Sequence, residues 1–195
     1  VLAIEKDLFD NALVKSATGK EYVNPLCILS NGIIETLGIL QFSLEDVYSC
    51  LQEFSIIRKK DDPWFVELLI YLSENIDSVE IAERLKEIQI IPIQRRNERI
   101  QNLVSTNDKP VFLPLSNKKN YSFEKNMTVI SDGFYSKISS IKNKSDKSRV
   151  LEFLGNVNVQ KASPFKIIEH YILSKYKSEE WKSCEPQILI DHLKY

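Results

Sequence analysis

Residues Ile90 to Leu115 read IIPIQRRNERIQNLVSTNDKPVFLPL. Pro92, Pro110 and Pro114 deny this stretch a helix, because proline lacks an amide donor and its ring clashes with the preceding turn. What remains is strand chemistry. The run Ile88–Ile93 is short and β-branched, Ile100–Ser105 and Pro110–Leu115 read as extended, and Thr106–Lys109 has turn composition. A small β-element of two or three strands is expected, with the prolines at edge or terminal positions. Between its first two strands stand Arg95, Arg96 and Arg99, with no apolar side chain to bury among them before Ile100.

Outward from this stretch the signals are helical. Ser43 with Asp46 three residues on forms a capping box, and Leu44, Val47, Leu51 and Phe54 follow on one face. In DDPWFVELLIYLSENI, Asp62 is the expected N-cap and Pro63 the first helical residue, with Phe65, Leu68, Leu69 and Leu72 buried. Asp77 and Glu80 make a second box before Ala82 and Leu85. Beyond the β-element, MTVIS reads as a short strand, DGFYSKISSI as turn and helix, and NKSDKS as an exposed loop. SRVLEFLG reads as a helix closed by Gly155. Ser163 and Pro164 open a helix with Phe165, Ile168 and Ile172 inward, and Pro186 interrupts the last one. The fold class is therefore α+β and helix-dominated.

Two parts of the chain run in the same order. Leu37-Gly38 and Leu154-Gly155 stand 117 residues apart, as do Trp64 and Trp181, the only tryptophans; Ser43 and Ser163 stand 120 apart. Leu13-Val14 and Leu103-Val104 stand 90 apart, so the second part carries extra residues. The expectation is two related units, each a small β-hairpin followed by packed helices. The first spans 1–88; the second spans 89–195, with an insertion near 116–148. Trp64 and Trp181 are the expected structural anchors.

Composition narrows the function. A hydrophobic share of 43% and a charged share of 27% suit a globular protein of 195 residues. The net charge of −1 gives no whole-protein attraction for nucleic acid or anionic lipid. Cys27, Cys50 and Cys184 lack CxxC spacing and read as thiols of a reducing, cytoplasmic setting. His170 and His192 have no cysteine or carboxylate at ligand spacing, so no zinc site is expected. Five glycines form neither GxGxxG nor a P-loop, and no cofactor is implied. No apolar run approaches the ~20 residues of a membrane span. The chain opens on Val1 and reads as a piece of a longer protein. No catalytic residue stands out. The arginine fork could hold phosphates or a carboxylate, and is otherwise a solvated hairpin tip or a contact for a protein or nucleic acid.

The stretch IQIIPIQRRNERIQNLVSTNDKPVFLPL, followed by RVLEFLGNVNVQKASPFKIIEHYILSKY, resembles the region after the ATPase domain in sacsin-like and plant NO VEIN-like proteins. These carry a GHKL-type (gyrase, histidine-kinase-like) ATPase at the front, and bacterial relatives sit in restriction or phage-defence contexts. Where that family has Asp-Gly, this chain has Asn97-Glu98-Arg99. The ATP-binding signatures are absent. The resemblance implies a non-catalytic interaction or transducer module, chaperone-like or defensive, whose partner is the remainder of a larger polypeptide or another protein. The alternative is a nucleic-acid-binding module of a restriction or phage-defence protein, acting through Arg95, Arg96 and Arg99.

Overall fold

The computed structural model describes residues 2–3, 8–23, 36–37, 40–76, 79–93, 102–107, 109–114, 127–178, 180–187 and 189–190. Helices dominate these residues, with short strands between them. The first helix, α1 (Asn11–Thr18), has clear ends. The Asp10 carboxylate accepts from the Leu13 amide at 2.9 Å, and Gly19 closes the helix at φ 69°, a left-handed conformation that glycine adopts freely. Here the sequence expectation fails. The start of the first expected hairpin is helical instead, so Leu13-Val14 lies in a helix and Leu103-Val104 in a strand. Caps at both ends and a buried Leu13/Val14 face favour helix over strand.

Helix α2 (Leu44–Gln52) forms the expected capping box between Ser43 and Asp46. It stops before Phe54, which opens the short α3 (Phe54–Ile57) and points outward. Helix α4 (Asp62–Asn75) begins one residue earlier than the sequence suggests. Asp61 is the cap, accepting from the Trp64 amide at 3.0 Å, and Pro63 sits second, where its missing donor still costs nothing. Helix α5 (Val79–Lys86) follows; the Asp77 half of its expected capping box lies outside the described residues.

Strands β1 (Leu2–Ala3), β2 (Tyr22–Val23) and β3 (Leu40–Gln41) form a sheet of order β2-β1-β3, parallel throughout. A hairpin would have made them antiparallel; α1 serves instead as the crossover from β1 to β2. The hairpin expected around the arginines does form. Strands β4 (Ile91–Ile93) and β5 (Asn102–Val104) pair antiparallel, with Pro92 opposite Leu103. Strand β6 (Val111–Phe112) pairs in parallel with β7 (Val159–Gln160).

The two ladders meet at Thr128–Ser131. Ile130 bridges Ile93 and Val129 bridges Phe112. The Phe112 amide donates to Thr128 O at 2.8 Å, and the Ser131 amide to Pro92 O at 2.9 Å. The segment 116–148, expected as an insertion, thus supplies the crossing that joins both ladders. It also supplies α6 (Asp132–Ser139), capped by Ser131, and the start of α7 (Lys144–Asn156).

Helix α7 is longer at both ends than expected. NKSDKS is its first turn, because the Asn143 side chain caps the Ser145 amide at 2.9 Å. Gly155 does not close it; the chain turns at Asn158, whose φ is 64°. Asparagine tolerates that conformation, and the Asn158 carboxamide donates to Thr106 O at 2.9 Å.

Residues from both expected units share one core, a continuous cluster that runs from Leu8 to Val159. Helix α4 lies against α6 and α7, burying Phe65, Leu68, Leu69 and Leu72. Phe65 meets Phe134 of α6 edge-on at 6.3 Å. Each such side chain contributes about 1.5–3 kcal/mol on leaving water. The N-termini of α4 and α6 approach closely, since a Cβ on Gly133 would lie 2.8 Å from Asp62 Oδ2.

Candidate functional site

The chain ends, as far as it is described, in a helical run built differently from the core helices. It begins as α8 (Pro164–Ile167), passes through a π-helical segment (Ile168–Leu173), and returns to α9 (Ser174–Lys177). A 3-10 turn (Glu180–Ser183) follows. Ser163 caps the start, accepting from the Lys166 amide at 3.3 Å. Ile172 is buried, and His170 meets the ring of Phe112 edge-on at 6.4 Å, which seats the run against β6.

Its outer side is apolar as well. Phe165 is 70% exposed and Leu173 45%. Tyr176 and Trp181 are each 37% exposed and stack with centroids 6.0 Å apart. Lys182 lies 6.0 Å from the Trp181 ring, within cation–π reach. A helix that is apolar on both sides is normally covered on both. Four large apolar side chains are thus exposed within seventeen residues.

Phe165 was expected inward with Ile168 and Ile172, and the structure corrects this. An α-helical stripe would align all three. The π segment winds less per residue, so Ile172 is displaced from Phe165 by roughly a quarter turn. The signal that could have found the surface was in the sequence: PFKIIEHYIL has apolar residues at too many positions for one buried stripe.

The tryptophans part ways. Trp64 is half-buried against the core and its indole N–H donates to Leu8 O at 2.8 Å, while Lys60 lies 5.6 Å over its ring. Lys60 also bonds Asp10 at 2.5 Å, tying the turn before α4 to the cap of α1. Burial works to raise the Asp10 carboxyl, but Lys60 and the Leu13 and Ala12 amides outweigh it and hold it below the usual value. Among the described residues Trp181 is not one of those packed against the core; it lies in the exposed cluster.

Arg95, Arg96 and Arg99 lie outside the described residues, as do Cys27 and His192. Cys50 is buried and its thiol is pushed up to about 12, by burial first and then by the charges of Asp46, Glu53 and Asp10. It is no nucleophile at neutral pH. Cys184 is half-buried beside Trp181. Among the described residues no three His, Cys, Asp or Glu side chains gather where they could hold a metal, and no helix is long and apolar enough to cross a membrane.

One open groove of about 400 Å³ lies between α2, α3 and the residues after α5, lined by Tyr48, Leu51, Gln52, Phe54, Glu87, Ile88 and Gln89. Beside it Arg84 grips Glu45 with both arms, at 2.5 and 2.9 Å, and lies 4.2 Å over the Tyr48 ring. That fork holds α5 to α2. The groove lining pairs no nucleophile with a base.

No family model, curated protein or solved structure matches this chain.

Proposed function

We propose that the chain is an interaction or transducer module without chemistry of its own, working in the cytoplasm inside a larger sacsin-like ATPase of a defence or chaperone-like system. The observation that carries this reading is the exposed apolar surface of Phe165, Leu173, Tyr176 and Trp181 on a helical run that also buries Ile172. Desolvating such a surface favours association. A run seated on β6 on one side and on a partner on the other would pass movement between the two.

The test has two arms. The purified chain should not turn over ATP; robust turnover sinks the reading. A photo-crosslinking residue placed at 165 or 173 in the larger polypeptide should capture neighbouring protein far more than one placed at exposed Ser140. Equal capture at the two sites removes the surface from the account.

The nucleic-acid reading keeps one observation in its favour. The Tyr176–Trp181 stack with Lys182 beside it offers ring faces and a cation, the pairing that holds unstacked bases. It predicts salt-dependent binding of single strands that falls when Arg95, Arg96 and Arg99 become alanine. Binding unchanged in that variant would take the arginines out of the reading.

A further inference from the structure

We propose that the corner between α6 and α7 is a contact for the backbone phosphates of a nucleic-acid duplex, through Lys137, Lys142, Lys144 and Lys147. It uses neither the apolar side of the C-terminal run nor the arginines at 95, 96 and 99. With a net charge of −1, the chain attracts a polyanion only through a local excess of cations. Residues 137–149 hold such an excess, five basic residues and one acidic. Among the described residues Lys137, Lys142 and Lys144 are exposed and make no ion pair, whereas Lys15, Lys60 and Lys86 each meet a carboxylate. Lys147 Nζ donates to Ser139 O at 2.7 Å, which brings its charge to the C-terminal end of α6. Asp146, the one acidic residue, bonds Arg149 at 2.5 Å, and Glu74 faces Arg149 at 3.4 Å. Four lysine charges are therefore left uncancelled at one corner. The corner is also fixed, since Ile138 and Val150 are buried on either side of it and Asn143 caps α7. A backbone already ordered loses little freedom on binding.

The surroundings of the lysines select the partner. From 132 to 149 no large apolar side chain is exposed. A protein partner would want an apolar or aromatic anchor there, and lysine is depleted in such interfaces. A membrane surface would want an apolar wedge beside the charges. The two rings of α6, Phe134 and Tyr135, pack into the core, so unstacked bases find no platform and a duplex is favoured over a single strand. Arg149, of the type that reads base edges, is held by carboxylates, so the contact is blind to sequence.

Fluorescence anisotropy with two labelled DNA duplexes of unrelated sequence, each of about 20 base pairs, tests this. The purified chain should bind both alike, with a Kd of roughly 1–10 μM at about 50 mM salt and a slope of log affinity on log salt of roughly −3 to −4. The double variant Lys142→Gln, Lys144→Gln should bind about tenfold or more weakly, with a slope shallower by about 2. Lys142→Arg, Lys144→Arg, which keeps the charge, should bind like the wild type. So should the charge-matched control Arg58→Gln, Lys59→Gln, at exposed residues after α3. Absence of binding at about 50 mM salt with up to about 200 μM chain overturns the proposal. So does a glutamine double variant that binds undiminished, or a control that loses as much. A chain that ignores the duplex yet sediments with phosphatidylserine vesicles would make the corner a membrane contact and end this inference. Binding kept in the glutamine double variant but lost in Arg95→Ala, Arg96→Ala, Arg99→Ala would move the contact to the arginines and end it equally.

Discussion

Phe134 and Phe165 both stand near the start of a helix, and nothing in their immediate neighbours separates them. Phe134 of α6 is fully enclosed, its ring edge-on to Phe65 of α4, whereas Phe165 faces outward. Phe134→Ala should cost about 3–5 kcal/mol through the cavity it leaves. Phe165→Ser should change stability by no more than about 0.5 kcal/mol. Urea unfolding midpoints of the two variants check the contrast. The cysteines divide in the same way. With its thiol pushed up to about 12 and buried, Cys50 should resist iodoacetamide at pH 8 until the chain unfolds, while Cys184 is modified in the folded state. Peptide mapping by mass spectrometry resolves the sites. Asp10 gives a pH signature. Its folded carboxyl is held below the unfolded value, so its stabilisation is complete above about pH 4 and is lost as the pH falls through the folded value. The melting temperature should drop on acidification below about pH 4. Asp10→Asn should flatten that slope; an unchanged slope would contradict the Lys60 pairing.

At the scale of elements, what the sequence showed was what neighbours in the chain decide. The capping box at Ser43, the prolines that exclude helix at Ile90–Leu115, and the β4–β5 hairpin all rest on residues no more than 13 apart. Asp61→Ala should cost about 1 kcal/mol if that residue caps α4, and Asp62→Ala less at the cap; reversed costs would restore the sequence reading. The parallel pairing of β1 with β2 and β3 was not legible, because two-residue strands carry no alternation and their partners lie far along the chain. Loop closure over such distances leaves no local mark. The end of α7 departs from the sequence expectation for a related reason. Gly155 looked like a terminator, yet Asn158 turns the chain because its side chain finds Thr106 O across the fold. The exposed apolar side of α8 and α9 departs from the expected stripe because a π segment shifts the helical phase, whereas a fixed periodicity assumes a constant one.

At the scale of the molecule, α4 links the two expected units more tightly than a division at residue 88 suggests. Its buried face meets α6 and α7, and the core does not break between the units. Leu68→Ala should therefore cost about 2–5 kcal/mol and leave unfolding a single transition, as followed by circular dichroism and by fluorescence. Two separated transitions would show independent units. The C-terminal run stands apart in composition: its inner side reaches Phe112 and its outer side meets water. The arginines at 95, 96 and 99 add a charged group whose placement lies outside the described residues. The proposed function turns on whether the outer surface is covered when the protein works. Trp64→Phe leaves Trp181 as the sole tryptophan and makes it a reporter of that surface. In the dilute chain its fluorescence should be red-shifted and open to acrylamide quenching; in the proposed larger polypeptide, or with the proposed partner bound, it should shift to the blue and become protected. Emission already blue and protected in the dilute chain, or unchanged in both settings, would contradict the account.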